Sequence, residues 1–91
     1  MINSERLEAF FVVATEGTVS NASKVLGISQ PAVTHRMKKL EDELGESLFF
    51  HKGKGLELTE KGMKLLQYCE QRKLWEAVVE MVEAHLSSKF Y

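Results

Sequence analysis

Apolar side chains at Leu7, Phe10, Phe11 and Ala14 recur at three- and four-residue intervals, the spacing of one face of an α-helix. Asn3 or Ser4 is placed to cap that helix and Gly17 to end it. After Gly17-Thr18-Val19 the helical pattern resumes, with Ser20 as the expected cap, Ala22, Val25 and Leu26 turned inward, and Gly27 as the stop. Gly27-Ile28-Ser29 then reads as a tight turn. Ser29 is the expected cap of a third helix, whose Pro31 falls in the first turn, where a missing N–H is no loss. Val33, Met37, Leu40 and Leu44 form the buried stripe of this helix, and Gly45 ends it. Two helices joined through a three-residue turn containing glycine make a helix-turn-helix unit, here at about residues 19–38.

Beyond Gly45 the period changes. Leu48-Phe49-Phe50 and Leu56-Glu57-Leu58 flank His51-Lys52-Gly53-Lys54-Gly55, which predicts a β-hairpin over about 48–58 with glycines where positive φ is required. Thr59 is the expected cap of a last helix running to about Leu86. Along it Leu65, Tyr68, Arg72, Trp75, Val79, Val82 and Leu86 alternate three- and four-residue steps, a coiled-coil seam with one polar interruption at Arg72. The domain is too small to cover so long an apolar seam, so a partner helix is expected. The fold class is therefore mainly α with a small β-hairpin: a winged helix-turn-helix over 1–59, then a linker or dimerisation helix and tail over 60–91.

Composition narrows the function. A formal charge of −1 excludes a uniformly polybasic binder, so any nucleic-acid surface has to be local. Two stretches qualify: Thr34 to Lys39 holds Arg36, Lys38 and Lys39 without an acid, and Ser47 to Leu56 holds Lys52 and Lys54 without one. A single cysteine, Cys69, rules out a disulfide framework and a four-thiolate zinc site, and reads as a small buried hydrophobe. His35, His51 and His85 have no acid at ligand spacing, so no metal is expected. No cofactor is expected either. The apolar run Ala9 to Ala14 is too short to span a membrane, and a cytoplasmic location is expected. No nucleophile–base or paired-carboxylate arrangement stands out, which argues against an enzyme.

Stepping 100° per residue from Val33 puts Pro31, His35 and Lys39 near the far pole of the third helix, with Thr34 and Lys38 beside them. That outward face is polar and basic. A helix of this kind fits the major groove of DNA with its N-terminal residues nearest the base edges, which places Ser29, Gln30, Ala32, Thr34 and His35 in the reading position. The Gln30 amide suits bidentate pairing with adenine, while Ala32 and the Thr34 methyl suit a thymine methyl. Lys38 and Arg36 are candidate phosphate contacts, and Lys39 is expected to pair with Glu43 four residues on.

With these residues in view, Phe10 through Ala14, Ser20-Asn21-Ala22-Ser23, Leu26, Ser29-Gln30-Pro31-Ala32-Val33-Thr34, Leu40-Glu41, Leu44-Gly45, Leu48-Phe49, Leu58-Thr59 and Gly62 together resemble the DNA-binding domain of LysR-type transcriptional regulators. The likeness covers about residues 4 to 66 without a gap. It implies a winged helix-turn-helix that binds partly palindromic promoter DNA as a homodimer through the linker helix, usually tetrameric in full-length proteins, with a ligand-sensing domain further along. That domain is absent from these 91 residues. The expected DNA contacts are Ser20, Ser29, Gln30, Pro31, Ala32, Thr34, His35, Arg36 and Lys38, with His51, Lys52 and Lys54 of the wing on phosphate or the minor groove. The expected dimer contacts are Leu65, Tyr68, Trp75, Val79, Val82 and Leu86. His35 and His51 stand where the family more often has arginine, and Glu57 occupies an often basic position, so the wing carries less fixed charge. The rival reading is a winged-helix protein-interaction module that dimerises through the long helix and touches no DNA.

Overall fold

The computed structural model describes the backbone of residues 4–90, and the side chains of that span except those at 73–75, 77, 79, 80 and 85–90. Within that span the elements follow in the order α1 (Ser4–Glu16), α2 (Val19–Leu26), α3 (Gln30–Leu44), β1 (Phe49–Lys52), β2 (Gly55–Leu58) and α4 (Glu60–Phe90). The fold is a winged helix-turn-helix continued by a long helix.

The core lies where α1, α2 and α3 converge. Ala9, Phe10 and Val13 enter it from α1, Ala22 from α2, and Val33, Met37 and Leu40 from α3. Leu48 and Cys69 close it from the approach to the hairpin and from α4. Leu65 and Leu66 also pack against it, so the first turns of α4 share the core of the preceding domain. The buried stripe of α1 is centred on Ala9, Phe10 and Val13; Phe11 and Ala14 lie at its edge. Val25 of α2 is 61% exposed and Leu44 of α3 36% exposed, contrary to the inward positions expected. The other helices fill the space above Ala22 and Leu40 and leave nothing to cover the flanks where Val25 and Leu44 emerge.

Caps hold the helix-turn-helix. Thr18, not Ser20, caps α2: its hydroxyl accepts from Asn21 N at 3.1 Å. Ser20 lies inside the first turn, where its carbonyl accepts from Ser23 Oγ at 2.8 Å. Ser29 caps α3, accepting from Ala32 N at 3.2 Å, and Pro31 occupies the first turn as expected. Asn3, the alternative cap for α1, lies outside the described residues.

The hairpin is antiparallel, with Phe49 opposite Leu58, Phe50 opposite Glu57, His51 opposite Leu56 and Lys52 opposite Gly55. Its connection is the two residues Gly53 and Lys54, and only Gly53 needs positive φ, at 61°. Gly55 is instead a strand residue passing close to Gly17, whose carbonyl accepts from Leu56 N at 3.0 Å. Phe49 stacks obliquely on Phe10, ring centroids 5.3 Å apart, which ties the hairpin to the core. Thr59 ties both sides of the junction with α4: its hydroxyl donates to Ser47 O at 2.6 Å and accepts from Gly62 N at 3.1 Å. Gly62 is required by contact, since a Cβ there would collide with the carbonyl oxygen of Leu48.

Candidate nucleic-acid interface

One open concavity is lined by Val19, Gln30, Pro31, Thr34, His35 and Lys38. Five of these belong to the outward face of α3, where Gln30, Pro31, Thr34, His35 and Lys38 are all exposed. They stand on a helix whose opposite face, Val33, Met37 and Leu40, is buried, so the burial that fixes the helix also presents the polar row. Val19, at the start of α2, supplies the apolar rim. Sequence periodicity missed it because its role depends on how α2 crosses α3.

The remaining expected contacts are distributed around this surface. Ser29 is exposed at the mouth of the helix, its hydroxyl already engaged as the cap, and Ala32 is half-buried beside it. Ser20 is half-buried on α2 and does not line the concavity. His51, Lys52 and Lys54 are exposed together at the end of the hairpin, apart from the concavity.

Ion pairs sort the cations further. Arg36 is half-buried and turned back toward α1, with its Nη2 3.8 Å from Glu5 Oε2. Lys39 does not pair with Glu43, because the Glu43 carboxylate is taken by Arg6 of α1. The pair across helices replaces the local one, since packing of α1 on α3 brings Arg6 against the Glu43 carboxylate. Lys52 Nζ lies 3.5 Å from Glu57 Oε1 across the hairpin. Lys38 thus stands out as the cation aimed into the concavity. The Glu41 carboxylate accepts from Leu48 N at 2.7 Å and fastens the end of α3 to the approach to the hairpin.

On α4, Tyr68 and Val82 of the expected seam are 49% and 52% exposed, whereas Leu65 packs against the core. The side chains of Trp75, Val79 and Leu86 lie outside those described. Arg72 Nη1 donates to the Tyr68 hydroxyl and its Nε to Glu76 Oε1, each at 3.4 Å. The hydrogen bond to Tyr68, followed by that to Glu76, raises the guanidinium pKa above its ordinary value.

Residues 4–63 match the family model described as bacterial regulatory helix-turn-helix protein, lysR family. The chain belongs to the LysR family. Among its LysR relatives, the HTH-type transcriptional regulator CzcR of Bacillus cereus is 40% identical over 83 residues, covering 91% of this chain and 28% of CzcR. The chain thus spans little more than a quarter of that regulator's length. Full-length LTTR LysG from Corynebacterium glutamicum superposes with a TM-score of 0.82 at 30% identity, over 99% of this chain and 30% of LysG. The crystal structure of a CbnR DBD–DNA complex superposes with a TM-score of 0.74 at 30% identity, over 96% of this chain and 98% of the CbnR chain. No helix among the described residues is long and apolar enough to cross a membrane.

Proposed function

We propose that this chain is the sequence-specific double-stranded DNA-binding domain of a LysR-type transcription regulator, working in the cytoplasm as a homodimer. The observation that carries this reading is the convergence of Gln30, Pro31, Thr34, His35 and Lys38 on one exposed concavity. Amide, hydroxyl and imidazole groups at the N-terminal half of α3 offer the donors and acceptors that the major groove demands, and Lys38 supplies charge at their flank. The hairpin then serves as a wing, with His51, Lys52 and Lys54 at its end to meet phosphate or the minor groove. The similarity to the CbnR chain seen with DNA supports the same use of the fold.

In this reading the dimer forms through α4. Val78, Met81 and Val82 are 41%, 71% and 52% exposed, apolar surface that a second α4 would remove from water. Of these Val82 belongs to the seam, with Val78 on its flank; Leu65, Tyr68, Trp75, Val79 and Leu86 complete the seam by their spacing, and residues 60–91 form the dimerisation unit.

The test is fluorescence anisotropy with a labelled random-sequence duplex at about 50 mM salt, followed by selection of a preferred site. Binding that weakens steeply with salt, and a selected site with twofold character, are expected. Failure to bind any duplex would favour the protein-interaction module instead. Sedimentation at micromolar concentration should give a dimer; a stable monomer would remove the role of α4.

A further inference from the structure

The hairpin carries an acid set against its own cations. The register puts Phe50 opposite Glu57 and Lys52 opposite Gly55, so these positions share one face of the two strands. Gly55 has no side chain to meet Lys52, and the next neighbour on that face is the diagonal Glu57. Their charged atoms lie 3.5 Å apart, and the side chains are 69% and 52% exposed. An exposed pair of this kind is weak and open to competition by a third charge.

Resting on the DNA-binding reading above, we infer that Glu57 attenuates the wing. In the free protein its carboxylate occupies Lys52, and against DNA it repels the phosphates that Lys52 and Lys54 attract. Both effects lower the affinity for every duplex by the same factor, because phosphate contacts carry no sequence information. Glu57 therefore widens the share of binding that depends on α3: it holds down random-sequence affinity without touching the groups that read bases. Without Glu57 the wing would add affinity for every duplex and leave the discrimination between duplexes unchanged.

The experiment compares the 91-residue chain with Glu57→Gln, Lys52→Gln and the double variant, using anisotropy on random-sequence and selected duplexes across a salt series. Glu57→Gln should tighten both duplexes by the same factor, about three- to tenfold at about 50 mM salt, and steepen the log–log salt slope by about one. Lys52→Gln should cost little affinity in the wild-type background and remove most of the gain in the Glu57→Gln background. An unchanged circular dichroism spectrum would show that the variants fold. Wild-type binding together with an unaltered slope in Glu57→Gln would overturn the attenuation alone. A gain that survives intact in the double variant would overturn the part assigned to the Lys52 pair. Absence of wild-type binding to any duplex would instead remove the DNA-binding reading on which the inference rests.

Discussion

Helix α3 is held along one side by Val33, Met37 and Leu40 in the core and at its start by the Ser29 cap, whereas the hairpin is tied down at scattered points, with none of its residues fully buried. Phe49 touches Phe10 at the open end and Leu56 N donates to Gly17 O near the turn, while His51, Lys52, Gly53 and Lys54 are exposed. The two surfaces differ in what they demand of position. A side chain that pairs bidentately with a base edge must be placed within hydrogen-bond tolerance, and the buried stripe of α3 provides that placement. A cation opposite phosphate works over a longer range and tolerates movement, so in the proposed reading a more lightly held hairpin suffices. Charge follows the same division. Arg36 is drawn back to Glu5 and Lys38 is left facing the concavity, while the wing lysine Lys52 is shared with Glu57.

The contrast breaks most visibly in stability. Leu40→Ala, at a fully buried side chain, should cost about 2–5 kcal/mol, whereas Phe50→Ala on the hairpin, at a side chain 46% exposed, should cost within about 0.5 kcal/mol. Urea denaturation at one fixed protein concentration measures both, and equal losses would end the distinction between anchored helix and loosely held wing.

Next in size is the effect on DNA. Gln30→Ala should lower affinity for the selected site by about 1–3 kcal/mol and relax preference at one base pair per half-site, while Lys38→Ala should weaken all duplexes alike and reduce the salt slope by about one. Equal losses on selected and random duplexes for Gln30→Ala would withdraw its assignment to base reading.

The smallest effect sharpens the comparison through the two histidines. His35→Gln on the helix should lower affinity for the selected site more than for random duplex, whereas His51→Gln on the wing should weaken both alike, each within about 1 kcal/mol, as exposed groups do. Anisotropy on both duplexes measures the two variants, and a loss confined to the selected site in His51→Gln would withdraw its assignment to phosphate.

The elements themselves were legible because local signals agree with the global fold. Periodicity at Val33, Met37 and Leu40, proline after Ser29 and glycine at 27 and 45 each mark the same helices that tertiary packing keeps. The outward row of α3 followed from the same period, since burying one face of a helix exposes the other. Local patterns were less informative at element edges. Ser20 and Thr18 are both good caps, and only the path of the chain between α1 and α2 selects Thr18. Val25 and Leu44 are apolar at helical spacing, yet their exposure depends on how far the neighbouring helices extend over them.

What the sequence determined by itself, then, is the set of helices, the turn between α2 and α3, the hairpin and the polar face of α3, because these rest on spacing and on the backbone preferences of single residues. Pairings between elements were decided by the tertiary structure: Arg6 with Glu43, Arg36 with Glu5, Glu41 with Leu48 N, and Val19 beside Gln30. A charge has no preferred partner until packing brings one within a few ångströms, so a local pairing such as Lys39 with Glu43 is overruled when another helix delivers a closer cation.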